Sequence, residues 1–235
     1  MLIKDKRAFI KGAVLFVSFF VVLLLMFSPM FGGKNALEAA DDLFNSMSKG
    51  STYYIPDLIK KNESYKGASV SLSIKLKDTQ MAQKASKLLT TVGATVKEDG
   101  AQLSVSGDLG RLVEASLKDS DAMFNNRDTE VTARYGLPGK EALFVWWNVL
   151  TQTDRDLTRQ KRFKEAKWVS DVVQKGVETG YNFFGIVPQT VGSRAGILTF
   201  SLVFYVIYTL WWGVAIMFLF EGVGFELKAG AKKEM

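Results

Sequence analysis

Two long uncharged segments stand near the ends of the chain. The first covers residues 12–32 and the second covers 196–220. About 20 residues of α-helix cross a hydrocarbon layer of roughly 30 Å, so each segment predicts a transmembrane helix. A buried core helix is the alternative for both, but such a helix seldom stays apolar on every face. A secretory signal is the alternative for the first, whose apolar stretch exceeds the roughly 7–15 residues of a signal core.

The positive charges beside these segments predict their orientation. Four cations precede the first segment and three follow the second, whereas only Lys34 and Arg194 lie close to a segment on its inner side. The positive-inside rule therefore predicts two cytoplasmic tails, residues 1–11 and 221–235, with the central part of the chain outside. We expect the chain in the inner (cytoplasmic) membrane, its central domain extracytoplasmic, or periplasmic if the cell is bacterial.

The central part opens with a membrane-proximal helix and a linker over residues 33–66. Apolar side chains recur at helical spacing over residues 36–49, which predicts a short amphipathic helix. Gly50 is a residue typical of a helix end, and the stretch around Pro56 that follows is polar. We therefore expect this helix to lie along the membrane surface or beneath the next domain, and the linker to be irregular.

Over residues 67–136 the hydrophobic period alternates between that of a strand and that of a helix. Asp78 and Asp108 are suitable helix N-caps, Gly93 is a suitable C-cap, and Asp99-Gly100 is a hairpin turn. The expected elements are strand 70–77, helix 79–91, strands 94–97 and 102–106, a helix from residue 108, and strand 130–135. This βαββαβ order predicts a small ferredoxin-like domain with both helices on one face of the sheet.

Residues 137–195 carry a long amphipathic helical pattern that returns towards the membrane, and it leaves open whether one helix or two is present. Trp146 and Trp147 point about 100° apart on a helix, so one can pack inward while the other contacts a partner or the membrane surface. A plain core role for the pair has equal weight. Tyr181, near the end of the segment, is an aromatic residue suited to an interface.

Two further groups of residues are candidates for contacts. Arg155, Arg159 and Arg162 follow the spacing of one helix face, which is either solvated or in contact with anionic headgroups or an acidic partner. The second apolar segment carries aromatic side chains that suit helix–helix packing or lipid contact. These are Tyr205, Tyr208, Trp211 and Trp212. The complete pattern predicts an α+β membrane protein, with two transmembrane helices flanking the ferredoxin-like domain and the long amphipathic helical segment.

The amino-acid composition excludes several kinds of catalytic and metal-binding site. The chain has no cysteine and no histidine, which excludes disulfides, thiolate nucleophiles, imidazole bases and the metal sites built from those side chains. Acidic pairs such as Asp119 and Asp121 could serve a hydrolase that uses carboxylates alone, but a solvated or helix-capping role is the more ordinary one. The formal net charge of +6 is concentrated in part on the N-terminal tail, so it does not indicate nucleic-acid binding.

These observations favour a non-catalytic subunit, without cofactor or metal, that serves as an accessory or scaffold protein of a larger membrane complex. Its partners would be other integral membrane or extracytoplasmic proteins, the lipid bilayer, or a second copy of the chain. An envelope receptor that binds cell-wall glycan or another ligand is the alternative, and a carboxylate-only hydrolase is the remote one. A shared fold does not decide among these functions, because unrelated domains use the same element order.

Overall fold

The structure, a computed structural model, describes residues 3–225. Lys228, Lys232 and Lys233, which contribute to the predicted orientation, lie outside the described residues. The chain forms two compact units, one comprising the chain before Asn45 and after Pro188, the other comprising Asn45–Pro188. We call the first the hairpin unit and the second the α+β unit.

In chain order, the helices and strands are α1 (Lys6–Phe27), α2 (Ala36–Ser51), α3 (Ile55–Asn62), β1 (Ser69–Lys75), α4 (Thr79–Thr91), β2 (Thr95–Asp99), β3 (Gln102–Asp108), α5 (Leu109–Phe124), α6 (Asp128–Tyr135), α7 (Gly139–Arg159), α8 (Phe163–Val172), α9 (Glu178–Asn182) and α10 (Ala195–Val223). A π turn over Val173–Val177 joins α8 to α9, and short 3₁₀ turns follow α3 and precede α10. The amphipathic helix predicted over 36–49 is present as α2, although it continues past Gly50 to Ser51.

The hairpin unit consists mainly of α1 and α10, the two helices that are long and apolar enough to cross a membrane. They run antiparallel. At one end the backbone N–H groups of Lys4 and Asp5 donate to the Gly222 carbonyl oxygen, at 2.8 and 3.0 Å. Towards the other end the Tyr208 hydroxyl donates to the Phe19 carbonyl oxygen at 3.1 Å. The pairing therefore places the N-terminal start of α1 and the C-terminal end of α10 at the same end of the hairpin.

A glycine and an indole hold the middle of the hairpin together. A Cβ atom on Gly12 would lie 2.6 Å from the backbone nitrogen of Leu219, so only glycine allows the two helices this close an approach. Nearby, the indole nitrogen of Trp211 donates to the Leu15 carbonyl oxygen at 3.0 Å. Close backbone approach and interhelical hydrogen bonds of this kind are typical of helix pairs in membranes.

The α+β unit contains a three-stranded antiparallel sheet in the order β1-β3-β2. Leu72 of β1 and Val96 of β2 both stand opposite Val105 of β3. Along β1 and β3 the apolar side chains are buried and the intervening serines are exposed, as the alternating pattern predicts. The predicted caps at Asp78 and Asp108 are present, since each carboxylate accepts a hydrogen bond from a backbone N–H of the following helix.

The predicted fourth strand is wrong, because residues 128–135 form α6. Val131 and Tyr135 are both fully buried, and their spacing of four fits the period of a helix as well as the alternation of a strand. Acidic residues in the first turn and Gly136 in the left-handed conformation, with φ of +65°, favour the helix. The β-α-β-β-α part of the predicted order is present, and the described sheet has no strand on the outer side of β1.

The linker is more regular than expected, and the long segment, for which the pattern left one helix or two open, is not one continuous helix. The linker around Pro56 forms α3, with proline in the first helical turn and Ile55 and Leu58 buried. The long segment after Pro138 is divided, since α7 ends at Arg159 and α8 begins at Phe163. Buried apolar residues from Ile55 to Val177 form one hydrophobic core. In this core the sheet packs together with helices that precede it and helices that follow it in the chain.

Candidate docking groove

The α+β unit carries an aromatic groove between α7 and α9. Its cavity volume is about 320 Å³. The residues that line it are Leu143, Phe144, Trp147, Val177, Glu178, Tyr181 and Asn182. We refer to this set as the aromatic groove.

Three large aromatic side chains of the groove remain open to solvent. Phe144 is 47%, Trp147 is 36% and Tyr181 is 37% exposed. The Phe144 and Trp147 rings lie nearly parallel, with centroids 6.3 Å apart and an interplanar angle of 5°. Leaving this much aromatic area in water costs free energy, and grouped exposed aromatic residues are typical of surfaces that bind another molecule.

Polar groups at the rim hold the aromatic rings in place. The indole nitrogen of Trp147 donates to Glu178 Oε1 at 2.9 Å, which ties α7 to α9. The Lys140 ammonium lies 5.2 Å from the centroid of the Tyr181 ring and 5.9 Å from that of Phe184, within the range of cation–π attraction. Trp147 and Tyr181 thus each have a polar neighbour, and the Phe144 ring stacks on Trp147, so these contacts shape the groove before anything binds to it.

Close packing on the far side of α9 fixes its distance from α7. A Cβ atom on Gly180 would lie 2.6 Å from the carbonyl oxygen of Ser120, so the backbone of α9 rests directly against α5. The π turn over Val173–Val177 brings the chain into α9, and such turns are common beside functional sites. The groove therefore has rigid walls that belong to well-packed helices.

The neighbouring tryptophan anchors α7 from the opposite side. Trp146 is fully buried, and its indole nitrogen donates to Asp119 Oδ2 at 2.7 Å. The Tyr135 hydroxyl donates to the same oxygen at 2.7 Å, and the Arg134 guanidinium donates to Oδ1. Trp146 therefore lies in the core, where it is not available for a surface contact, and Trp147 lies at the surface.

Burial dominates the electrostatics of this Asp119 cluster. Removal of the carboxylate from water raises the pKa of Asp119, while the hydrogen bonds from Tyr135 and Trp146 and the charge of Arg134 oppose that rise. Burial, together with the charge of Asp119, also raises the pKa of Tyr135. The Asp119 side chain is fully buried and both of its carboxylate oxygens accept hydrogen bonds, so it serves to fix α5, α6 and α7 together.

Two other aspartates, Asp121 and Asp156, are also engaged by protein groups. Asp121 accepts hydrogen bonds from the Tyr53 hydroxyl and from the Arg127 guanidinium. Asp156 accepts from the backbone N–H of Ser73 at 3.0 Å. Within residues 3–225, no three acidic side chains are grouped as a metal site would require.

The predicted basic face is divided by the break between α7 and α8. Arg155 and Arg159 both lie on α7, which ends at Arg159, whereas Arg162 lies beyond the break and precedes α8, so the three do not share one continuous helix face. The Arg162 guanidinium donates to the Ser69 carbonyl oxygen at 3.0 Å, and that of Arg159 donates to the Ser73 carbonyl oxygen at 3.4 Å. Both arginines therefore contact the outer edge of β1.

These contacts close the edge where a fourth strand would pair. Besides the two arginines, the Gln160 side chain donates to the Ser71 carbonyl oxygen at 2.8 Å. Asp156 accepts from the Ser73 N–H, as described above. Side chains thus satisfy backbone groups that would otherwise offer an open strand edge to another molecule.

The aromatic residues predicted in the second apolar segment fall into two groups. Tyr208, Trp211 and Trp212 face α1, the last with its ring centroid 4.8 Å from that of Phe19. Tyr205 is 68% exposed on the outside of the hairpin. The prediction of helix–helix packing therefore describes three of the four residues, and Tyr205 is placed where lipid or another helix would meet it.

A lysine that the sequence pattern does not single out binds the turn after α9. Lys49 of α2 is buried, and its ammonium donates to the carbonyl oxygens of Phe183 at 3.0 Å and Ile186 at 2.6 Å. Burial lowers the pKa of Lys49. Asn126 binds the same turn, accepting from the Gly185 N–H at 2.7 Å. The two points where the chain enters and leaves the α+β unit are therefore fastened to each other.

Comparison of the chain with models of protein families, with curated proteins and with solved structures finds no match.

Proposed function

We propose that this protein is a non-catalytic, membrane-anchored accessory subunit whose α+β unit docks a partner protein through the aromatic groove. The observation that carries the proposal is that three exposed aromatic residues, Phe144, Trp147 and Tyr181, line one groove. The other exposed aromatic residues of the unit, Tyr53, Tyr54 and Phe163, do not line it. Tryptophan and tyrosine are over-represented among the residues that contribute most to protein–protein binding.

The openness of the groove favours a protein over a small molecule. Sites for small ligands bury about 70–90% of the ligand and have volumes of roughly 300–1,000 Å³. The cavity of about 320 Å³ is at the lower end of that range, and three of its wall residues are more than one third exposed. An apolar side chain presented by a partner surface would fill it while the surrounding rim is covered by the rest of that surface.

The anchor of the proposed subunit is the hairpin of α1 and α10. Both helices are long and apolar enough to span a bilayer, and their antiparallel pairing supports a topology with both termini on one side. The distribution of lysine and arginine supports cytoplasmic termini in the inner membrane. The α+β unit would then be extracytoplasmic, where other membrane or periplasmic proteins can reach the groove.

Photo-crosslinking in living cells tests the proposal. A photoreactive phenylalanine analogue replaces Phe144 in the full chain, and the same analogue at the exposed Glu98 of β2 is the control. We expect a discrete protein adduct from position 144 that is absent from position 98 and is lost when Trp147→Asp is added. Adducts of equal yield from both positions, or an adduct that the Trp147→Asp change leaves unaltered, would contradict docking in the groove.

A further inference from the structure

The turn between α7 and α8 presents an exposed phenylalanine among positive charges. Phe163 is 63% exposed, and Lys161 and Lys164 stand on either side of it in the chain. Residues 154–167 contain six cations and three acidic residues. We refer to residues 160–164 as the Phe163 turn.

Half of these cations have no acidic partner among the described ion pairs. Arg159 pairs with Asp156, Arg162 with Glu165, and Lys167 with Asp171. The remaining three are Arg155, Lys161 and Lys164, and all three are exposed. Residues 154–167 therefore carry a formal net charge of +3, and Asp154 offsets part of the charge of Arg155.

The Phe163 turn is held rigidly by the sheet. Gln160 and Arg162 donate to carbonyl oxygens of β1, at 2.8 and 3.0 Å. Lys161 between them adopts φ of +63°, a left-handed conformation that is strained for a residue other than glycine. Because the edge contacts impose this shape, Phe163 is presented to solvent without a further ordering step on binding.

We propose that the Phe163 turn binds the surface of an anionic phospholipid membrane. Phe163 would enter the interfacial layer, while Arg155, Lys161 and Lys164 contact lipid phosphates. An exposed aromatic side chain with two exposed lysines close to it in the chain suits a deformable bilayer, whereas a protein partner would need a matching acidic pocket. The inference rests on the membrane anchoring in the proposed function, since the anchor keeps lipid at high local concentration.

Nanodiscs that contain the full chain test this binding with two sources of lipid. In the first arm the nanodiscs are made of phosphatidylcholine, and vesicles of phosphatidylcholine with or without phosphatidylglycerol are added, with co-flotation as the measurement. In the second arm the nanodiscs themselves contain phosphatidylglycerol. Because the chain has no cysteine, Thr158→Cys, at an exposed position close to the turn in the chain, accepts a single environment-sensitive dye whose emission reports contact with the chain's own bilayer.

We expect binding that requires phosphatidylglycerol in at least one arm. Phe163→Ser should weaken it about tenfold, because the exposed ring loses its apolar contact with the lipid. Lys161→Glu combined with Arg155→Glu should weaken it at least as much and should abolish its dependence on salt concentration. The matched controls are Val187→Ser, which changes an apolar residue that is 68% exposed, and Lys75→Glu with Lys97→Glu on the sheet.

Binding that ignores phosphatidylglycerol in both arms overturns the inference, as does binding that Phe163→Ser and the charge reversal leave unchanged. Binding to a polyglutamate peptide in the absence of any lipid binding would assign the turn to an acidic protein partner and also overturn it. The crosslink from position 144 is a separate readout. Its persistence in Phe163→Ser would show that the docking groove works while the lipid site fails.

Discussion

Removal of the Asp119 carboxylate should destabilise the α+β unit strongly. In Asp119→Ala the indole N–H of Trp146 and the hydroxyl of Tyr135 lose their common acceptor, and both side chains are fully buried. A buried polar group left without a partner costs about 1–3 kcal/mol, so the two together cost roughly 2–6 kcal/mol. Arg134 adds little to this sum, because its side chain is 36% exposed and can regain water.

Hydrogen–deuterium exchange of the full chain in mild detergent measures this loss. The amides of α5 and α7 report the free energy of opening of the core that surrounds Asp119. Asp119→Asn is the conservative variant, since its amide oxygen can still accept a hydrogen bond from Trp146 or Tyr135. Its free energy of opening should therefore fall clearly less than that of Asp119→Ala. Glu98→Ala changes an exposed residue of β2, and its free energy of opening should stay within about 0.5 kcal/mol of that of the parent chain. A loss below about 0.5 kcal/mol in Asp119→Ala would refute the role given to the cluster.

The same pair of variants makes the pH dependence testable. Because burial raises the pKa of Asp119, the folded chain keeps this proton at pH values where the unfolded carboxyl, with a pKa of about 3.9, has released it. The unfolded state then binds fewer protons, and the free energy of unfolding contributed by Asp119 falls as pH rises from about 4 through the raised pKa. Asp119→Asn cannot titrate. Its stability relative to the parent should therefore increase across that window and stay constant above it.

Three further changes test other parts of the structure. Gln160→Ala with Arg162→Ala uncovers two carbonyl oxygens of β1, so we expect concentration-dependent association by light scattering, which Arg155→Ala should not produce. Lys49→Met should lower the free energy of unfolding by about 1–3 kcal/mol and speed amide exchange in residues 183–186, because two carbonyl oxygens lose their donor. Lys49→Arg should recover part of the loss, and unchanged exchange in Lys49→Met would contradict the role given to these hydrogen bonds. Tyr208→Phe removes one interhelical hydrogen bond and should weaken the helical hairpin by about 0.6 kcal/mol in a steric-trapping assay, whereas no change would mean that the hydroxyl finds another partner.

Features that depend on a few consecutive residues could be predicted from the sequence. The N-caps at Asp78 and Asp108, the hairpin turn at Asp99-Gly100 and the left-handed Gly93 are all present. Each has a local cause, either a side chain that reaches the next backbone N–H or a backbone angle that favours glycine. The two apolar helices follow as directly, because their length and composition require no information from the rest of the chain.

The fourth strand was not predictable in this way, because two periods fit the same buried residues. Val131 and Tyr135 differ by four positions, a spacing shared by two steps of strand alternation and about one turn of helix. The acidic first turn and Gly136 at the end were the available signals for α6. Alternating apolar positions are therefore weaker evidence for a strand when residues typical of helix ends stand at both ends of the segment.

The aromatic groove depends on contacts that the sequence alone does not indicate. Trp147 meets Glu178 across 31 positions, and the pairing requires a helix break after Arg159 and a π turn before α9. Neither irregularity follows from a period of 3.6, since a π turn widens one turn and shifts the phase of the residues after it. Periodicity could show that one tryptophan of the pair faces outward, but only the packing of α9 against α5 determines what it faces.

The three arginines show how tertiary contacts divide a set that the sequence groups together. On one continuous helix, Arg155, Arg159 and Arg162 would form a single basic stripe available to one ligand. The break places Arg159 and Arg162 at the β1 edge, where their guanidiniums satisfy backbone oxygens that no strand covers. Arg155 stays exposed to solvent beside Asp154. The same run of residues therefore supplies two side chains that close the sheet edge and one that takes no part in that edge.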